Sequence, residues 1–149
     1  MLKKIAIVLR ETGNLQCLKK AEDLETNPSQ SRTINLRRLE LKPITIKTIA
    51  SIIAQEKNNN VLRSISLSYN NQIGDTGVTA LIKSLSTSLH EIGLVDCGIG
   101  DQVGTEILNW MNTANNLQMI CMEENNFSDE LKTKFKVFKY SNPKIMVVI

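Results

Sequence analysis

Apolar residues recur along the chain at a nearly fixed interval. From Leu62 they fall at Ile65 and Leu67, pass Asn70, and resume at Ile73, Val78, Leu81 and Leu85. The stretch from Leu89 runs through Ile92, Leu94, Cys97, Ile99, Val103, Ile107 and Met111. The next runs from Leu117 through Ile120, Met122, Asn125, Phe127, Leu131, Phe135 and Phe138. A weaker copy opens at Leu36 with Leu39, Leu41, Ile44, Ile46, Ile49 and Ile53, and a partial one at Ile145 with Val148. Starting points at 36, 62, 89, 117 and 145 are separated by 26, 27, 28 and 28 residues. Each unit therefore reads L-x-x-I-x-L-x-x-(N/C)-x-I, followed by an amphipathic stretch.

In each unit the fourth and sixth positions alternate to one side, as in a short strand, and the residues between them face outward. The second half has apolar spacings of 3 and 4, as a one-sided helix requires. Such a unit cannot bury its faces alone, so neighbours must stack and share one core, with parallel strands and helices covering one side. The ninth position, Asn70, Cys97 and Asn125, lies where the chain leaves the strand; a buried polar side chain there can satisfy the turn's backbone groups. That makes Cys97 a structural thiol. In the unit at 36 this position holds Ile44, and the ladder fails. Asp75, Asp101 and Ser128 stand where each helix begins and are expected to cap its free N–H groups.

Residues 1–31 depart from the period. Leu2, Ile5 and Ile7 have strand spacing, and Leu15, Leu18, Ala21 and Leu24 make a helical face. An irregular N-terminal cap is expected there: one edge strand, one helix, and a loop at Glu25 to Ser31 marked by Asn-Pro and serines.

The spacing from Leu62 to Gly77, its copy from Leu89 to Val103, and the period of 26 to 28 residues resemble the ribonuclease-inhibitor-like subfamily of leucine-rich repeats. The resemblance covers about Leu36 to the C-terminus. It implies an α/β leucine-rich repeat solenoid, a right-handed horseshoe with parallel strands on the concave face and helices on the convex face. Residues 32–149 would hold about four repeats plus a terminal strand. It implies a non-catalytic scaffold that binds another protein on the concave face, with no active-site residues to carry over. Short Asn-rich members are similar to effector proteins that intracellular bacteria deliver into host cells. The expected location is accordingly cytoplasmic, or a host cell reached by a specialised secretion system. An alternative is the substrate-recognition arm of a larger enzyme such as a ubiquitin ligase.

Stacking turns the outward strand positions into columns. The third position gives Arg38, Ser64, Glu91, Met119 and Val147, and the fifth gives Glu40, Ser66, Gly93, Cys121 and Ile149. The seventh and eighth add Lys42, Pro43, Ser68, Tyr69, Val95, Asp96, Glu123 and Glu124. Arg37, Arg38, Lys42 and Arg63 crowd the early units, and Glu91, Asp96, Glu123 and Glu124 the later ones. The candidate partner-binding set is Arg38, Glu40, Lys42, Arg63, Ser64, Ser66, Tyr69, Glu91, Asp96, Met119, Cys121 and Glu123. Tyr69, among serines, is its natural aromatic anchor. Residues 1–74 carry 12 Lys or Arg against 6 Asp or Glu, and residues 75–149 carry 6 against 9. The apolar end, Lys144 to Ile149, is expected to leave an open strand edge that either continues into a longer protein or mediates self-association.

Composition narrows the alternatives. The 149 residues are 42% hydrophobic and 22% charged, as expected of one folded domain and not of a disordered chain. No apolar run approaches a membrane span, so no membrane partner is expected. A net charge of +3 and 4% aromatics disfavour nucleic acid. Three scattered cysteines and one histidine, His90, fit neither a disulfide framework nor a zinc site. No column sets a nucleophile beside a base, and no metal, cofactor or catalytic residue is expected. Trp110 is expected to complete the packing between helices.

Overall fold

The computed structural model describes residues 1–27, 32–55 and 62–149. Among them the chain forms an α/β fold with one five-stranded sheet and six helices. The N-terminal helices α1 (Leu2–Glu11) and α2 (Leu15–Thr26) are followed by β1 (Thr33–Asn35) and α3 (Pro43–Gln55). Then come β2 (Ser64–Ser66), α4 (Gly74–Ser84), β3 (Glu91–Gly93) and α5 (Asp101–Met111). The chain closes with β4 (Met119–Cys121), α6 (Asp129–Ser141) and β5 (Met146–Val148). The strands lie side by side in chain order and every pair is parallel. Parallel neighbours need a crossover, and α3 to α6 supply it.

The register puts Ile34, Ile65, Ile92, Ile120 and Val147 in one row, at steps of 31, 27, 28 and 27 residues. Each of these central residues is buried, while its two strand neighbours are not. One face of the sheet is thus closed by apolar packing and the other is open. The core runs continuously from Ile5, Leu9 and Cys17, through Ile34, Leu67 and Leu94, to Phe135 and Val147. Trp110 is buried within it, although its Nε1 has no hydrogen-bond partner.

Three expectations are corrected. Residues 2–11 are a helix and not an edge strand: Ile5, Ala6 and Leu9 are buried, whereas Ile7 is 55% exposed. The spacing of 4 between Ile5 and Leu9 is helical, and it outweighs the single alternation of Ile5 with Ile7. Asn14 caps α2 by accepting from the N–H groups of Gln16 and Cys17. That helix buries Cys17, Ala21 and Leu24, leaves Leu15 exposed, and runs through Glu25 and Thr26. Residues 28–31 of the expected loop lie outside the described residues.

Second, the first unit starts at residue 31 and not 36. Ile34 pairs with Ile65, so Leu36 takes the place of Leu67, and Leu39 that of Asn70. Likewise Val147 pairs with Ile120, so the last unit opens at Lys144 and turns Met146 and Val148, not Val147 and Ile149, outward.

Third, Asp75 and Asp101 do not cap their own helices. Asp75 Oδ1 accepts from the N–H of Gly100 (2.7 Å), and Asp101 Oδ1 from that of Ser128 (2.8 Å), each at the entry to the next unit's helix. Of these three, Ser128 alone caps its own helix, accepting from Leu131 N–H at 3.2 Å. Bonding to Ser128 holds the Asp101 carboxyl below its ordinary range.

The ninth position forms the expected ladder, and it also reaches across units. Asn70 Oδ1 accepts from the N–H groups of Leu39 (3.0 Å) and Leu41 (3.1 Å), while Nδ2 donates to the carbonyls of Leu36 (2.8 Å) and Leu67 (2.6 Å). Asn125 does the same for Cys97, Ile99, Leu94 and Met122. Between them the Cys97 thiol donates to Leu67 O at 3.4 Å, and burial pushes it up to about 12. The chain turns tightly just beyond: Gly98 has φ +66°, and a Cβ there would lie 2.2 Å from the Asn71 carbonyl oxygen. No described helix is long and apolar enough to cross a membrane.

Candidate protein-interaction face

The open face of the sheet is built from the outward residues of the strands and the first two residues after the loops begin. Thr33, Ser64, Glu91, Met119 and Met146 form one column, and Asn35, Ser66, Gly93, Cys121 and Val148 the next. Past the strands the stacking continues through backbone bonds. Arg38 N–H donates to Ser68 O (3.2 Å), Tyr69 N–H to Val95 O (2.7 Å), and Asp96 N–H to Glu123 O (3.0 Å). Arg38, Tyr69, Asp96 and Glu124 all take left-handed conformations, with φ between 47° and 63°. Repeating that conformation at one position of every unit aims these four side chains alike.

The corrected register rearranges the candidates. Ser64, Ser66, Glu91, Met119 and Cys121 lie on the strands, and Tyr69, Asp96 and Glu123 on the loops, as the spacing predicts. Arg38 moves from a strand position to the loop column beside Tyr69, with its guanidinium 4.6 Å from the ring centroid. Arg37, outside the candidate set, joins it at 5.1 Å. Arg63 precedes β2, where its carbonyl accepts from His90 and Glu91, and its side chain is exposed. Glu40 and Lys42 leave the face altogether. They line a cleft of about 500 Å³ between the α1–α2 turn and α3, with Val8, Asn14 and Ile44, and Asn14 Nδ2 donates to Glu40 at 3.4 Å. The signal that finds Arg37 is Pro43. Each helix from α3 on begins twelve residues after its unit starts, and proline favours a helix's first position.

The middle of the face is shallow. A Cβ on Gly93 would lie 2.7 Å from Ser66 Oγ and 3.0 Å from Ser68 Oγ, so the two hydroxyls occupy the space of the missing side chain. Cys121 is half-buried beyond it. Burial raises its thiol pKa first, Glu123 and Glu91 add to the shift, and Arg37 opposes it. A thiol raised in this way is a poor nucleophile at neutral pH. One carboxylate oxygen of Glu123, Oε2, is buried without a hydrogen-bond partner. Among the described residues no three His, Cys, Asp or Glu side chains converge to hold a metal. The arrangement presents opposite charges in separate places and suits recognition.

A scan against protein-family models finds no match, and a comparison with curated proteins finds none.

Proposed function

We propose that the chain is a leucine-rich-repeat scaffold of the ribonuclease-inhibitor-like kind, curved as a horseshoe, that binds a partner protein on its open strand face without catalysis. The repeat spacing and the sequential parallel sheet support the architecture. One observation supports the role most: Tyr69, partly buried, is held against two arginines from the neighbouring loop. Tyrosine and arginine dominate the energetic centres of protein interfaces, and packing an aromatic in advance reduces the entropy lost on binding.

The test is site-specific photo-crosslinking in cell lysate. A benzophenone side chain at Ser66, on the open face, should yield discrete protein adducts. The same group at Tyr140, 89% exposed on α6, should not. Adducts from Tyr140 alone would place binding on the helices and overturn the reading.

A further inference from the structure

The charges on the open face are sorted by position. Arg37 and Arg38 come from the loop after β1 and converge on one ring of the next unit. Asp96, Glu123 and Glu124 come from the loops after β3 and β4. The ion pairs among the described residues lie elsewhere, at Arg10–Glu25, Lys20–Asp23 and Lys134–Glu130. Neither sign on this face is neutralised by the other. Two guanidinium groups beside one ring repel each other unless an anion lies near, and the unpartnered Glu123 oxygen lacks a donor. Between the Arg37–Arg38 loop after β1 and the acidic loops after β3 and β4 lie β2, with its outward Ser64 and Ser66, and the Ser68 hydroxyl packed beside Gly93.

Resting on the docking role proposed above, we infer that the face receives a protein segment of fixed charge polarity. Its acidic side chains lie over Arg37, Tyr69 and Arg38, and its basic ones over Asp96, Glu123 and Glu124. A uniform polyanion, such as nucleic acid, matches one end and is repelled by the other; a polycation fails in the opposite way. Three strand spacings separate the Arg38 and Glu124 loops, which at about 4.8 Å each is about 14 Å. An extended segment spans that in about four residues, so its two charged groups stand close together in sequence.

The experiment uses synthetic peptides. One carries a glutamate block, a short uncharged spacer, and a lysine block; a second has the same composition with the charges alternating. Fluorescence anisotropy should show the block peptide binding at least about tenfold more tightly. A spin label on its glutamate end should broaden the Tyr69 amide resonance, and one on its lysine end that of Glu124. Arg37→Glu with Arg38→Glu should abolish the preference; Arg37→Gln with Arg38→Gln serves if the reversal does not fold. Adding Glu123→Lys and Glu124→Lys to the reversal should restore binding with the two labels exchanged. Equal affinity for both peptides, or tighter binding of an all-glutamate peptide, would overturn the polarity. If Ser66 crosslinks persist in that case, the docking role stands and only the polarity falls. If they are missing, the role itself fails.

Discussion

The loop after β1 and the loop after β2 make the same turn with different chemistry. Both place a left-handed residue, Arg38 or Tyr69, just before the ninth position, yet that position is Leu39 in one and Asn70 in the other. The reason is the direction of the ladder. Asn70 serves the backbone of the unit before it, at Leu39 and Leu41, and Asn125 serves Cys97 and Ile99 in the same way. Among the described residues no strand precedes the first. Behind Leu39 stands α2, whose Cys17 thiol donates to the Leu39 carbonyl at 3.5 Å, and an apolar side chain is what packs there. A polar ninth residue is needed only where a neighbouring turn must be satisfied.

The largest effects should separate these two loops. Asn70→Leu strands two buried N–H groups, at about 1–3 kcal/mol each, and chemical denaturation should show the summed loss. The reverse change, Leu39→Asn, has no turn to serve and should also destabilise, by about 1–3 kcal/mol, as a buried polar group without partners. A neutral Leu39→Asn would break the comparison. Leu94→Ala, in the closed face, should cost about 2–5 kcal/mol through a cavity.

A pH effect comes next. Cys97 is raised from 9.0 to about 12 by burial, so the folded state keeps a proton that the unfolded chain releases. Its contribution to stability is complete below pH 9 and is lost as pH rises toward about 12. Denaturation midpoints measured across that range should fall, and fall less in Cys97→Ala. At the other end, the lowered Asp101 carboxyl stabilises above the ordinary carboxylate range and stops doing so as pH drops through it. The smallest effect is on the surface. Arg38→Glu and Arg63→Glu should each leave stability within about 0.5 kcal/mol. Of the two, Arg38→Glu alone should weaken partner capture in the Ser66 crosslinking assay, because Arg38 stands against Tyr69 and Arg63 does not.

Where a unit carries a polar or thiol ninth residue, its strand, helix and inward row are legible in the sequence. Ile65, Ile92 and Ile120 align as the spacing predicts. The first unit is misread because Leu36, Leu39 and Leu41 repeat the 3-and-2 spacing of Leu62, Ile65 and Leu67, while Leu39 is the ladder residue in apolar form. Correcting that slip of five residues moves Glu40 and Lys42 off the face, while Arg37, already expected near it, joins Arg38 against Tyr69. Most of the later half of the face follows from the spacing. The pairing of two arginines with Tyr69 does not, because it depends on which unit Arg38 belongs to. Helix α1 is hidden for a similar reason: a stretch with Ile5, Ala6, Ile7 and Leu9 satisfies both periods in part, and burial decides between them.

The alignment of β1 with β2 is the point on which the face depends, and cross-linking by engineered disulfide tests it most directly. Thr33 and Ser64 are paired neighbours, about 4.8 Å apart as adjacent strands are, within the range a disulfide bridges. In a Cys121→Ser background, Thr33→Cys with Ser64→Cys should oxidise readily in the folded protein, and Arg38→Cys with Ser64→Cys should not. The reverse outcome would contradict the register, and with it the placement of both arginines beside Tyr69.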